Sequence, residues 1–214
     1  MFSKLQYISQ GKTPEEHLFN ITAALDAGCT WIQLRLKNKQ ESAVLALAEE
    51  VKKSCEAYHA CLIINDYVQV AHAVNADGVH VGLTDMVVGR AREIMGTQKI
   101  IGGTANTLED VRKRIAEQCD YIGLGPFRFT ATKEKLSPIL GAEGYRNIMD
   151  TLAAENCQVP VYAIGGITAD DVEVIRETGI YGIALSGVIT HSGHQKELVQ
   201  QLNNKLYATL THSR

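Results

Sequence analysis

The run Cys61-Leu62-Ile63-Ile64-Asn65-Asp66, followed after one short helical segment by Gly78-Val79-His80-Val81-Gly82, decides how this chain is read. The first run has no polar alternation and the second holds one histidine between two valines, so neither reads clearly as a strand with one wet face. Each fits a parallel strand covered on both sides. Parallel neighbours need a crossover, and residues 67–74 between the runs supply one.

Working outward, β-rich runs of the same kind recur at residues 5–9, 30–36, 99–103, 120–125, 159–164 and 182–185, making eight with the first two. Most are bounded by Gly, Pro, Asn or Asp. Helical patterns lie between them. Residues 14–27 place Leu18, Ile21 and Leu25 on one face, with Thr13 as N-cap, Pro14 at the first helical position and Gly28 as the stop. Residues 40–59 carry Val44, Leu47, Val51 and Cys55 at helical spacing. Residues 107–118 open on Thr107-Leu108-Glu109-Asp110, a capping box with Asp where the strict form has Glu or Gln, and Thr168 with Asp171 repeats it. Residues 67–74 and 85–95 are shorter helices, and 193–208 form the last. Strand and helix thus alternate eight times, which predicts a (β/α)8 TIM barrel, one domain over residues 1–214. A doubly wound open sheet competes, but no strand here leads into a GxGxxG turn. Residues 127–143 lack a clear element, and a loop of that length in a compact fold suggests a lid.

A net charge of −3 lacks the cationic surplus that nucleic-acid binding needs, so no nucleic-acid partner is expected. No run approaches the ~18 apolar residues that cross a bilayer, so no membrane association is expected either. The N-terminus lacks a secretory layout. Five widely spaced cysteines without a CxxC pair read as reduced, mostly buried residues of a cytoplasmic protein.

Polar residues cluster just past the ends of the apolar runs, where a barrel would gather them at one mouth. Gln33, Arg35 and Lys37 alternate with Leu34 and Leu36 and share one face, either inward toward phosphate oxygens or outward as a solvated strand end. Asp66 and Asp85, past neighbouring strands, read as a pair of Mg²⁺ ligands or as two helix caps. Asn65 suits a heterocycle edge or a turn. His80 is either a hydrogen-bonded core histidine or a group beneath a substrate. Thr130, Thr132 and Lys133 form an anion clamp or a solvated loop. Gly165-Gly166 and Ser186-Gly187, closing the seventh and eighth runs, are tight turns or the phosphate loops usual at that place in such barrels. No HxH or HExxH pattern is present.

Taken in order, Tyr7-Ile8-Ser9, Gln33 to Lys37, Asn65-Asp66, Gly78 to Gly82, Asp85, Gly102-Gly103-Thr104, Gly125-Pro126, Thr130-Ala131-Thr132-Lys133, Gly165-Gly166-Ile167 and Gly182-Ile183-Ala184 resemble the thiamine-phosphate synthase family over nearly the whole chain. The resemblance implies an enzyme that joins two phosphorylated heterocycles. Gln33, Arg35, Lys37, Asn65 and Lys133 would bind 4-amino-2-methyl-5-diphosphomethylpyrimidine, with Thr104 where the family usually has Ser. Asp66 and Asp85 would hold Mg²⁺ against that diphosphate. Thr130, Thr132, Gly166, Ser186 and Gly187 would take the thiazole phosphate, and Arg35, Lys37 and Lys133 would stabilise the leaving pyrophosphate. A homodimer is one candidate assembly.

The chain departs from the family pattern at Leu36, often acidic; at Phe129, often proline; and at Leu185-Ser186-Gly187, more usually Val-Ile-Ser. Three other readings compete: a related TenI-like thiazole tautomerase, a phosphosugar isomerase, and a barrel that binds thiamine phosphates without turnover. The two aspartates and the clamp argue against the first. The want of an evident acid–base pair argues against the second, and the completeness of the polar set against the third.

Overall fold

The structure, a computed structural model, describes residues 2–129 and 138–209. Eight parallel strands follow one another in chain order around a closed barrel: β1 (Leu5–Ile8), β2 (Trp31–Leu34), β3 (Cys61–Asn65), β4 (Gly78–Val81), β5 (Ile100–Ala105), β6 (Tyr121–Leu124), β7 (Val161–Ile164) and β8 (Gly182–Leu185). Closure is made by β1, which pairs with both β2 and β8. The crossovers are α1 (Pro14–Asp26), α2 (Glu41–Ala57), α3 (Val68–Ala73), α4 (Val88–Met95), α5 (Leu108–Ala116), α6 (Gly141–Ala154) and α7 (Val172–Arg176), the last preceded by a 3₁₀ turn at Ala169–Asp171. After β8 come a short α8 (Gly187–Thr190) and α9 (Gln195–Tyr207). The barrel expected from the sequence is therefore present.

Every residue of β2, β4, β6 and β8 is buried, which is why those runs show no polar alternation. The outward residues, among them Ile32, Leu62, Ile64, Val79 and Ile122, pack against the helices in one continuous core. A separate cluster of Trp31, Ile63, Tyr121 and Tyr162 fills the inside of the barrel at its N-terminal end. Its rings meet edge-on, with Trp31 5.0 Å from both Tyr121 and Tyr162 and the two tyrosines 5.6 Å apart. Among the described residues Trp31 Nε1 finds no hydrogen-bond partner, a polar group given up to that packing. Trp31 and Gln33 alternate inward along β2, so the tryptophan forms the floor and the glutamine sits one layer above it.

The helix signals act as read. Thr13 Oγ1 accepts from Glu16 N–H at 3.2 Å ahead of Pro14, and Thr107 and Asp110 exchange both bonds of a capping box. Gly28 takes φ 99° at the end of α1, a conformation suited to glycine alone. Other boundaries differ. β2 ends at Leu34, which leaves Arg35 and Lys37 in the loop beyond it instead of on a strand face. α4 starts at Val88, three residues past Asp85. α6 starts at Gly141, inside the stretch read as structureless. The lid expected around Thr130, Thr132 and Lys133 lies outside the described residues. Among the described residues no helix is long and apolar enough to cross a membrane.

All five cysteines are free, with Cys29, Cys55 and Cys119 buried and their thiols pushed up to about 12, chiefly by that burial. Those three stay as thiols at neutral pH.

The tyrosine layer depends on a missing side chain opposite it. A Cβ on Gly102 would stand 2.2 Å from Tyr121 Cζ and 2.6 Å from His80 Nδ1. Gly102→Ala should therefore overpack the barrel and cost about 1–3 kcal/mol of stability in urea unfolding. An unchanged midpoint would show that Tyr121 has room to move.

Candidate active site

Above the aromatic floor the inward side chains are polar, and they bond to one another. Gln33 Nε2 donates to Gln6 Oε1 at 3.1 Å, and Gln6 Nε2 donates to Tyr121 Oη at 3.3 Å. Tyr121 Oη lies 3.0 Å from His80 Nδ1, and His80 Nε2 lies 3.0 Å from Thr104 Oγ1. An amide nitrogen only donates, so the Tyr121 oxygen accepts from Gln6, and His80 bridges Tyr121 and Thr104 through its two ring nitrogens, one a donor and the other an acceptor in the neutral ring. The core reading of His80 is the one seen here: it is a buried, bonded residue that also meets the threonine above it.

At the mouth, next to Thr104, the ends of β3 and β4 bring two carboxylates together. Asp66 follows buried Asn65 with φ 67°, and its N–H donates to His80 O at 2.8 Å. Asp85 folds back so that its Oδ2 accepts from Gly82 N–H at 2.8 Å. A Cβ on Gly82 would lie 2.3 Å from Asp85 Oδ2 and 4.0 Å from Asp66 Oδ1, so only glycine lets the two acids share this corner. Neither acid caps a helix. The residues at the starts of α3 and α4 are Tyr67 and Val87, and neither start has a side-chain cap. Burial, and then the bond and charge of Asp85, push the Asp66 carboxyl up to about 6. Two cations stand beside it. Lys37 Nζ is 3.9 Å from Asp66 Oδ2, and the Arg35 guanidinium, disfavoured by its burial, is supported by the Asp66 charge. Among the described residues no three His, Cys, Asp or Glu side chains gather to form a closed metal cage.

Across the mouth, Gly165 and Gly166 take consecutive positive φ of 86° and 70° after β7. With Gln10, Arg35, Ser186 and Gly187 they line a cavity of about 320 Å³. The Ser186 hydroxyl donates to Gln10 Oε1 at 3.1 Å, while Gln10 Nε2 meets His191 Nε2 at 3.1 Å. The serine proton is thus already used, which leaves backbone N–H groups as what this turn can offer an anion. A larger hollow of about 560 Å³ lies at the opposite end, lined by Phe2, Thr30, Trp31 and Tyr207 among others, with no Lys, Arg or carboxylate among the described residues of its wall.

A profile described as thiamine monophosphate synthase matches residues 5–189. The chain belongs to this family. It is 58% identical over 210 residues to a thiamine-phosphate synthase of Flavobacterium johnsoniae, covering 98% of this chain and 99% of that one. It is 46% identical over 200 residues to a thiamine-phosphate synthase of Bacteroides fragilis, covering 94% and 98%. A solved thiamine phosphate pyrophosphorylase from Pyrococcus furiosus superposes with a TM-score of 0.84 at 29% identity, covering 97% of each chain. As a member of the thiamine monophosphate synthase family, the chain is an enzyme of the transferase class.

Within this family barrel the structure gathers Gln33, Arg35, Lys37, Asn65, Asp66, His80, Asp85, Thr104, Gly166, Ser186 and Gly187 at the C-terminal mouth. Thr130, Thr132 and Lys133 lie outside the described residues. Sequence reasoning missed Gln6, Gln10 and Arg114. The Arg114 side chain is 3% exposed, and from α5 it donates to Thr104 O at 3.0 Å and Gly82 O at 2.9 Å while pairing with Glu117 at 2.7 Å. It braces the two strand ends that carry Thr104 and the Asp85 turn. The one signal available was Gly103, whose absent Cβ leaves room for the Arg114 stem.

Tyr121→Phe cuts the polar chain in its middle and leaves His80 and Gln6 short of a partner. It should cost about 1–3 kcal/mol in denaturant unfolding and lower activity further by releasing Thr104. Full stability together with full activity would show that the chain has no part in ordering the mouth.

Proposed function

We propose that this barrel displaces pyrophosphate from a pyrimidine methyl diphosphate with the nitrogen of a thiazole phosphate, to give thiamine phosphate. The observation that carries the reading is the position of Arg35. It lines the cavity beside Gly166 and Gly187 and is also coupled to the Asp66 carboxylate, so one guanidinium stands between an anion-binding turn and an acidic pair. A site that must hold two phosphorylated substrates side by side needs a cation at that point.

The donor set at Asp66 and Asp85 fits Mg²⁺. Two hard carboxylates meet in one corner, where burial first and then the neighbouring Asp85 raise the Asp66 carboxyl, and Mg²⁺ commonly takes one or two carboxylates and completes its shell with water and phosphate oxygens. When bound there, Mg²⁺ would neutralise charge on the departing pyrophosphate. Arg35 and Lys37 would bind its oxygens through charge-assisted bonds. Lys133 joins them on the strength of the resemblance alone.

The chemistry then asks little more of the chain. The methylene C–O bond breaks and its electron pair leaves with pyrophosphate. The aminopyrimidine shares the charge left on carbon until the thiazole nitrogen closes the new C–N bond. No proton needs to move in that exchange, and the cations and amides of the mouth are the groups it calls on. Gln33, Asn65 and Thr104 orient the pyrimidine, and the Gly166 and Gly187 amides hold the thiazole phosphate.

The test is a coupling assay with both heterocycles, following thiamine phosphate and pyrophosphate with Mg²⁺ and then with EDTA. Both products should appear together and stop when the metal is removed. Asp66→Asn should lower kcat/KM by about a hundredfold, the scale on which losing one electrostatic stabiliser is felt, while keeping its melting transition. Turnover that ignores EDTA would remove the metal from the mechanism. A lost transition in Asp66→Asn would give Asp66 a structural role instead.

A further inference from the structure

We propose that Arg128 is a positioning residue for the phosphate turn, aiming the N–H groups of Gly166 and Ile167 into the cavity. The inference deepens the reading above and rests on the Gly165–Gly166 turn being the side that takes the phosphate.

Arg128 grips this turn from behind at two successive carbonyls. Its backbone N–H donates to Gly165 O at 3.0 Å, and its Nη1 donates to Gly166 O at 3.1 Å. In a trans peptide the C=O and the following N–H point in opposite directions. Holding the Gly165 carbonyl toward Arg128 therefore turns the Gly166 N–H away from it, and holding the Gly166 carbonyl does the same for the Ile167 N–H. Gly165, Gly166 and Ile167 all line the cavity. Neither N–H has a protein acceptor among the described residues. Two adjacent amides converging on one cavity are the donor geometry that suits a phosphate monoester.

The arginine is itself held. Nη1 and Nη2 each lie 2.5 Å from an oxygen of Asp171, a two-pronged pair, and the guanidinium stands 4.7 Å from the Phe127 ring centre. Asp171 is buried and also accepts from Thr168 N–H and Oγ1, both at 2.8 Å. Arg128 holds this carboxyl down at about 2, so it is charged at neutral pH. A Cβ at Gly166 would come within 2.8 Å of Arg128 Cβ, so the turn and the arginine approach each other as closely as glycine allows. An ion pair half open to water contributes little to folding by itself. Its geometry makes sense as a means of fixing the guanidinium against Gly166.

The test is calorimetric binding of hydroxyethylthiazole phosphate and of hydroxyethylthiazole, its dephosphorylated form, to the full chain. Wild type should favour the phosphate ester. Arg128→Ala should bind the ester about tenfold more weakly, the loss expected for misaimed bonds to a charged group, with affinity for the alcohol unchanged. Arg128→Lys, which keeps one donor, should fall between. The double variant Arg128→Asp/Asp171→Arg separates positioning from stability. It restores an ion pair but gives up the Thr168 bonds to Asp171, so it is compared with Arg128→Ala at a temperature where both are folded; a carboxylate at position 128 cannot donate to Gly166 O, so ester affinity should stay low while affinity for the alcohol is kept. Recovery of ester affinity in the swap, or equal ester affinity in every variant, overturns the assignment. If wild type treats ester and alcohol alike, the phosphate reading of the turn fails and this inference with it. Product formation in the coupling assay tells that outcome from a failure of the enzymatic reading as a whole.

Discussion

A closed barrel gives its interior no edge and no exit except the two ends, so whatever points inward must be satisfied by what else points inward. That constraint organises this molecule. Rings from β2, β6 and β7 fill the N-terminal half of the cylinder, and polar groups are forced into the layers above, where they bond to one another below the mouth. Gln33, Gln6, Tyr121, His80 and Thr104 answer with one continuous run of hydrogen bonds from β2 across to β5. An unpaired member would carry the full cost of a buried polar group. The site therefore stands on a layer that is ordered by the need to leave nothing unsatisfied.

At the mouth the balance is electrostatic. Asp66 and Asp85 repel each other across Gly82, Lys37 and Arg35 offset part of that charge, and Arg114 pulls on Gly82 O from beneath. Across the opening Arg128 backs the turn after β7, and the described residues around that cavity include no carboxylate. Arg35 lines this cavity and also feels the Asp66 charge, so one guanidinium serves both parts of the mouth.

The fold was legible because burial on both faces suppresses polar alternation: Leu62-Ile63-Ile64 and Gly78 to Val81 cannot be edge strands. Site positions were legible for the related reason that polar residues directly after such runs must lie at a strand end. Roles were harder to read. An Asp before Tyr67-Val68 looks like a helix cap on paper, and only the positive φ of Asp66 and the back-folded Asp85 show otherwise. Arg35 and Lys37 look like strand residues because the alternation continues past Leu34, where the pairing stops. Arg114 was hidden for another reason. On a helix with Arg112 and Lys113 beside it, nothing in the sequence says which cation turns inward. Gln6 was passed over as the polar member of an otherwise apolar strand, and α8 is too short to carry a periodic signal.

The hydrogen-bond run through the barrel is also a brace. Gln6 stands on β1, Gln33 on β2, His80 on β4, Thr104 on β5 and Tyr121 on β6, so side chains tie five of the eight strands together through the interior. The backbone ladder joins each strand only to its neighbours, whereas Gln6 and Tyr121 meet across the cylinder. The cross-section at this height is therefore fixed from within, and the mouth above it inherits that fixed width.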